Sequence, residues 1–491
     1  MADIGIPWSP RVVLTGRNLR LPVQVSEGKS KLDIGDFQLL DQRWSVRDEA
    51  FFYYLEAPQQ SGDYTIRAKL DDQIAETVIQ VRSLDDLRQP HPFNGVYWPR
   101  RWPVGQDFSS TKERQTLQDL PVSRAPNEEM LGWWTTQDDE AIWRQLPSAD
   151  YPRAHYTNVH QGCPNCGTAI FSFGGFYPWK RQHYPYDMRS ECPSCAARFP
   201  SNDLAAGDFS SGDFVDDGYG YFDAEGHVFL FAAAYCRDLV GLYNAPIDLL
   251  TNCLRTGPFD AALARRLGLL LLRYAVEEIY LAAVPQFRHG PSQEVEQAWD
   301  WGQPDWAAAP DPIAALYRKG SLRYSIDVSY IGISLALAYD TIWPFIKEDQ
   351  ELVERAQAQG LSVNQPADVV ALIEEMLASV IQCCIDGGAV SNLPRVSVGV
   401  LVMLRCLERS DAQDVLTWLY DRGPAKMRVF TTNNFTVDGT PPEATGGYNN
   451  THTEGLFDLE YHMRQLRQVC PGAYPETQFP SLLDDERVPR I

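Results

Sequence analysis

The sequence predicts a multidomain α+β protein: an N-terminal β-sandwich, then a helical domain of the (α/α) toroid type with a cysteine-bearing segment inserted between them. Three observations lead there. Short β-branched and aromatic runs occupy the start of the chain, two Cys-Pro-x-Cys motifs stand in an irregular middle, and long stretches with apolar residues at helical spacing follow. At 491 residues, 44% of them hydrophobic, the chain holds more apolar material than one compact core takes up. The changes of character place the boundaries at 1–88, 89–225 and 226–491.

The strand signals are Arg11-Val-Val-Leu-Thr, Leu19-Arg-Leu-Pro-Val-Gln-Val, Phe51-Phe-Tyr-Tyr-Leu, Tyr64-Thr-Ile-Arg-Ala and Thr77-Val-Ile-Gln-Val. Turn clusters such as Ser61-Gly-Asp separate them, the pattern of a small, Ig-like sandwich. Pro90-His-Pro and Trp98-Pro-Arg-Arg-Trp-Pro read as an extended linker, because each Pro removes a donor and drives its predecessor out of helical geometry. From about 110 to 225 the chain is rich in aromatics, Pro and Gly with little periodicity, and such a segment needs an external staple.

Helices are expected over 259–284, 326–345 and 367–385, with two more at about 395–408 and 411–421. The third carries Val369, Val370, Ile373, Met376, Leu377 and Val380 on one stripe, tolerates Pro366 in its first turn and ends at Gly387-Gly388. Antiparallel helix pairs with short connections give the layered or toroidal expectation. The longest apolar run, Leu267 to Leu272, is far too short to span a bilayer, and the first residues lack a signal peptide's basic and apolar regions. A soluble protein is expected, exported only if a leader has been removed. The 65 acidic against 43 basic side chains, a formal charge of −22, argue against general binding of nucleic acid or anionic membranes.

Cys163-Pro-Asn-Cys166 and Cys192-Pro-Ser-Cys195 are two knuckles 25 residues apart. Each turns two thiolates toward one point, and four thiolates form a closed tetrahedral shell suited to zinc. With every position filled by sulfur, that Zn2+ is expected to be structural. Two redox pairs are the alternative, but no βαβ context supports them. Ten cysteines are too few and too clustered for a disulfide framework; Cys236, Cys253, Cys383, Cys384, Cys406 and Cys470 read mostly as buried free thiols. Between the knuckles, Tyr177, Trp179, Lys180, Arg181 and His183 offer flat rings beside cations, either a subsite for an acidic sugar or the core of a metal-folded module.

The segment Phe435-Thr-Val-Asp-Gly-Thr-Pro-Pro-Glu443-Ala-Thr-Gly-Gly-Tyr448-Asn-Asn-Thr451-His452-Thr-Glu454 is a loop running into a helix. Thr451 and Glu454 make a capping box, so the helix is expected to start at Thr451 with Tyr448 just ahead of its amino end. Glu443, Tyr448 and His452 then share one loop, and Asn392 sits at another helix mouth. Arg100, Arg101, Arg288, His289, Arg323 and Arg395 are the basic residues available to hold an anionic chain, each also readable as a solvated surface charge.

The order Trp143-x-x-Leu-Pro with Pro152-Arg153, Gly162-Cys-Pro-x-Cys-Gly, Tyr177-Pro-Trp-Lys, Cys192-Pro-x-Cys, Phe199-Pro-Ser-Asn-Asp, Ala338-Tyr-Asp340, Ser391-Asn392 and the Asp438-Gly to Tyr448 loop resembles the heparinase II/III-like polysaccharide lyases over roughly residues 130–465. The resemblance implies cleavage of a uronic-acid-containing polysaccharide, glycosaminoglycan- or alginate-like, by β-elimination. Carried over by motif, Asn392 binds the C5 carboxylate and Tyr448 acts as base, acid or both. His452 and Glu443, from their place in the loop, are further catalytic candidates, and Trp179, Lys180, Arg181, Arg323 and Arg395, from the rings and cations above, are the substrate-binding candidates. Two features depart from the family. Leu393 stands where many members have His after the Asn, and members continue into a C-terminal β-sandwich. A separate β-sandwich chain or a homo-oligomer is therefore an expected partner, and the family's secreted or periplasmic setting an expected location. The rival expectations are a glycoside hydrolase using Asp340 and Glu443, and a non-catalytic carbohydrate-binding or assembly protein.

Overall fold

The computed structural model describes residues 4–7, 9–10, 12–25, 31–46, 49–88, 110–121, 128–144, 146, 162–174, 178–181, 189–218, 220–224, 228–229, 231, 246–283, 328–385, 389, 392–409, 412–442, 446–470 and 472–490. Sheets come first in the chain and helices dominate after them. The residues group into two units. One comprises Met1–Pro99, Pro147–Leu242 and Ile279–Leu322; the other comprises Arg100–Leu146, Tyr243–Glu278 and Arg323–Ile491.

The first unit begins with eight strands: β1 (Ile4–Gly5), β2 (Val12–Leu14), β3 (Asn18–Val25), β4 (Lys31–Asp33), β5 (Gln38–Ser45), β6 (Ala50–Glu56), β7 (Gly62–Leu70) and β8 (Gln73–Arg82). They form two four-stranded sheets, ordered β1-β3-β6-β5 and β2-β8-β7-β4. Leu19 pairs with Leu55 and Val23 with Phe51 in one sheet, Ile66 with Thr77 in the other. Alternation turns Leu19, Leu21, Val23, Tyr53 and Leu55 toward Ile66, Ala68, Ile79 and Val81, and these side chains form one core. Strand β5 was not expected. Its Gln-Leu-Leu-Asp-Gln-Arg-Trp-Ser sequence is mostly polar because it is an edge strand, and its pairing slips between Leu39 and Asp41.

The outer face of the first sheet is covered as well, which explains why β3 is buried on both sides. Tyr54 stacks on Phe209 with ring centroids 4.6 Å apart. Beneath them Asp217, wholly buried, accepts from Arg20 and from the Tyr54 hydroxyl at 2.7 Å each, and from Arg43 at 3.4 Å. Burial opposes ionisation of Asp217, but the two guanidiniums outweigh it and hold its carboxyl below the usual range.

The second unit contains α1 (Glu128–Thr136), α2 (Asp139–Arg144), a helix at 246–256, most of α3 (Ala261–Ala283), α4 (Val328–Ile346), α5 (Gln350–Ala358), α6 (Pro366–Ile385), α7 (Arg395–Leu407), α8 (Ala412–Asp421) and α9 (Gly446–Val469). Helices α1 and α2 lie in the stretch read as irregular; at nine and six residues they are too short to display a repeating stripe. Contacts fix the direction of the main helices. Ser329 of α4 meets Gly399 of α7 and Gly332 meets Met403, while the Cys406 thiol donates to the Ala336 carbonyl. Pro394 meets Gly455 of α9, and Arg405 meets His462. Thus α4, α7 and α9 run parallel, with their amino ends on one side. Helix α6 runs against α4, since Gly332 lies near Val380 and Tyr339 donates to Glu374 at 2.5 Å. A Cβ on Gly399 would stand 2.9 Å from the Ser329 carbonyl oxygen, so only glycine permits this approach.

The extended residues 110–119 tie α4 to α7. Pro344 lies inside α4 and has no N–H for the Asp340 carbonyl; Gln115 supplies that donor from its side chain at 2.8 Å. Lys112 reaches the Asp340 carboxylate at 2.7 Å and the Cys406 carbonyl, in the last turn of α7, at 2.8 Å. Thr116 donates to the Arg405 carbonyl. Arg405 in turn donates to Asp119 and to His462 Nδ1 at 2.9 Å. Burial, reinforced by the Arg405 charge, pulls the His462 imidazole down to about 3. In the unfolded chain an imidazole titrates near 6.5. The neutral ring therefore stabilises the fold fully above pH ~6.5, and that contribution falls by about 1.4 kcal/mol per pH unit below it. Urea unfolding at pH 7 and pH 5 is expected to show a steeper loss for the wild type than for His462→Gln; equal slopes would mean that His462 is protonated in the native state.

Candidate functional site

Each cysteine knuckle is closed by its own backbone. Cys163 and Gly167 exchange hydrogen bonds at 3.0 and 2.8 Å, and Cys192 accepts from Ala196 N–H while donating to the Ala197 carbonyl. Gly162, at φ 74°, has no room for a side chain: a Cβ would fall 2.3 Å from the Gly167 carbonyl oxygen. A small sheet, β9 (Lys180–Arg181), β10 (Ser190–Glu191) and β11 (Arg198–Phe199), carries the second knuckle. The sulfurs converge. Cys163 Sγ lies 3.8 Å from Cys195 Sγ and Cys166 Sγ 3.5 Å from Cys192 Sγ, with all four inside 4.8 Å of one another. Four thiolates at about 2.3 Å from one ion stand roughly 3.8 Å apart, so the four cysteines lie close enough to bind a metal ion. Without a cation, burial pushes the Cys163 and Cys192 thiols up, and a dication is what would favour four thiolates there.

The rings around the knuckles build a core. Trp179 packs edge-on against Phe199 and Phe231 at 5.8 and 5.6 Å, half-buried beside Ile170 and Phe229. Lys180 is exposed and pairs loosely with Glu191 across the strands at 3.8 Å. Arg181 pairs with Ser190 in the sheet; its side chain lies outside the described residues. So do Glu443, Arg323, Arg100, Arg101, Arg288, His289, Tyr177, His183, Ser391 and Cys236. Of the other thiols, Cys383, Cys384 and Cys406 are buried; Cys253 and Cys470 are half-buried.

A second constellation forms at the amino ends of α7 and α9. Asn392 is half-buried in the turn before α7, where its carbonyl accepts from Arg395 N–H at 2.9 Å. The Pro394 ring of that turn fills the notch at Gly455, where a Cβ would stand 2.2 Å from Pro394 Cδ. This contact sets the Asn392 turn beside the third turn of α9, and along that helix His452 lies about one turn and Tyr448 about two turns before Gly455. The expected helix start is corrected: α9 begins at Gly446, not Thr451, and Tyr448 lies within its first turn. No capping box forms there, because the Thr451 hydroxyl donates to the Gly447 carbonyl one turn back inside the helix. Tyr448 is 47% exposed, whereas His452 is 7% exposed and faces the interior. Arg395 lies over the Tyr330 ring at 5.0 Å from its centroid.

Asp340 is sealed in. It is buried, and its carboxylate accepts from Lys112, Thr116 N–H and Leu117 N–H at 2.7, 2.9 and 3.0 Å. That arrangement is an anchor and offers no oxygen to a sugar. Sequence reasoning gave no sign of the Lys112 partnership or of the Asp217 hub, which join residues 228 and 197 positions apart. Comparison of the chain with protein-family models, with curated proteins and with solved structures gives no match.

Proposed function

We propose that the chain is a polysaccharide lyase of the heparinase II/III-like type that cleaves a uronic-acid-containing polysaccharide by β-elimination. The observation that carries this reading is the Pro394–Gly455 contact, which brings Asn392 and Tyr448 to the same end of two parallel helices. It adds geometry to the motif resemblance. The Asn392 amide donates to the C5 carboxylate and lowers the barrier to loss of the C5 proton. Tyr448, the exposed member, removes that proton; the electron pair forms the C4=C5 bond and the O4 bond breaks. The Tyr448 hydroxyl then returns a proton to the leaving oxygen. His452, buried one turn further along α9, supports the helix face rather than the sugar. The four-cysteine centre takes zinc, which cross-links its segment and leaves no position open to substrate.

The glycoside-hydrolase rival loses its first carboxylate, because Asp340 is saturated by Lys112 and two backbone donors. The test is incubation with heparan sulfate, chondroitin sulfate, hyaluronan and alginate while ultraviolet absorbance of the unsaturated product is followed. Tyr448→Phe is expected to lower kcat by about 10²–10⁴ and Asn392→Ala by about 10²–10³. Well-folded, metal-loaded protein that yields no unsaturated product from any of the four would end the lyase reading.

A further inference from the structure

We propose that Arg395, held against Tyr330, binds the carboxylate of a sugar unit adjacent to the one contacted by Asn392. The inference rests on the uronate reading above and names the subsite that reads the charge. Arg395 is half-buried in the first turn of α7, three residues from Asn392. Its guanidinium lies over the Tyr330 ring and, among the described residues, has no carboxylate or carbonyl partner. Other arginines of similar burial are taken up. Arg265 is held by Asp349, Arg355 by Asp139 and Glu351, and Arg266 by the Trp134 and Gln137 carbonyls.

In a chain with 65 acidic and 43 basic side chains, a half-buried cation with no acid paired to it among the described residues is set apart. A guanidinium held over a ring makes a cation–π contact that uses none of its N–H donors, which stay available for bidentate capture of a carboxylate. Tyr330 sits in the first turn of α4, whose approach to α7 is fixed by the Ser329–Gly399 contact, so the ring is a positioning residue for Arg395. The amino ends of α4, α7 and α9 share this side of the unit, and their partial positive charge favours the same ligand.

The test measures binding by calorimetry on full-length Tyr448→Phe protein, which retains the subsite without turnover. The probes are an alginate tetrasaccharide, a heparan sulfate tetrasaccharide and neutral cellotetraose. Arg395→Gln is expected to weaken alginate binding about ten- to a hundredfold, with Arg395→Lys between the two. Tyr330→Phe keeps the ring and is expected to bind within about twofold of the parent, while Tyr330→Leu weakens binding several-fold. Unchanged binding in Arg395→Gln overturns the proposal, as does failure of both acidic probes to bind, or equal damage from Tyr330→Phe and Tyr330→Leu. Arg395-dependence confined to the sulfated probe overturns the carboxylate assignment. If Arg395→Gln fails to fold, Arg395→Lys carries the same comparison. Arg395-dependent binding by a wild-type protein that forms no unsaturated product keeps the subsite and rejects the lyase reading.

Discussion

Removing the metal from the four-cysteine centre, by a strong chelator or by Cys192→Ser, is expected to collapse the segment around residues 162–231. Among the described residues the buried cluster around the knuckles is small, Cys163, Ile170, Cys192, Phe199, Phe229 and Phe231, and the strands beside it are two residues long. So small a core cannot offset the entropy of ordering the chain, whereas binding of a structural zinc contributes apparent free energies of about 10–16 kcal/mol. Metal analysis is expected to find one zinc per chain. Chelation is expected to expose the segment to limited proteolysis and to remove the near-ultraviolet dichroism of Trp179 and its neighbours. The four positions are not equivalent. Cys192 is buried and Cys195 is exposed, so Cys195→Ser, where water can approach the ion, is expected to cost less than Cys192→Ser. A metal-free preparation with unaltered melting and dichroism would show that this fold does not depend on an ion.

The second large effect is expected at Lys112. Its ammonium and the Asp340 carboxylate are 0% and 2% exposed and 2.7 Å apart. Lys112→Met leaves a buried carboxylate with two backbone donors and the distant Thr116 hydroxyl, none of them charged, and deprives the Cys406 carbonyl of the Lys112 ammonium. Loss of one partner of a buried pair costs about 3–5 kcal/mol. Asp340→Asn is expected to be milder, since the amide oxygen can still accept from Thr116 or Leu117 N–H. Replacing both with apolar residues is expected to cost less than the sum of the single changes. Urea unfolding followed by helical dichroism reads these values. A loss below about 1 kcal/mol for Lys112→Met would mean that residues 110–119 do not hold α4 to α7.

Periodicity made most of this architecture legible before any coordinates. Helices α6 and α7 were found within one residue of their ends, because an apolar stripe and a Pro start are local signals. The convergence of the four cysteines was legible for the same reason: each knuckle is complete within a few residues. The start of α9 was not, since Gly446-Gly447 reads as loop and each glycine costs a helix about 1 kcal/mol. The Pro394–Gly455 packing at that end offsets this and is invisible to a local reading. Helix α5 was missed because only Leu352, Val353 and Ala356 are buried in its nine residues. The ion pairs at Asp340 and Asp217 left no trace because sequence spacing carries no information across some two hundred residues. Tyr330 was overlooked because an aromatic at the start of an apolar helix reads as core until a cation is found on it.

The order in which the two units use the chain sets how the protein can be made and cut. The polypeptide passes from one to the other five times before the last helices complete the second. During synthesis the β-strands emerge long before the cysteine knuckles that belong to the same unit, and α7 emerges well before its parallel neighbour α9. The second unit cannot be finished while the ribosome still holds the C-terminal helices, and no single cleavage site releases either one intact. Circular permutants that open the chain inside either unit are therefore a better probe of autonomy than truncations.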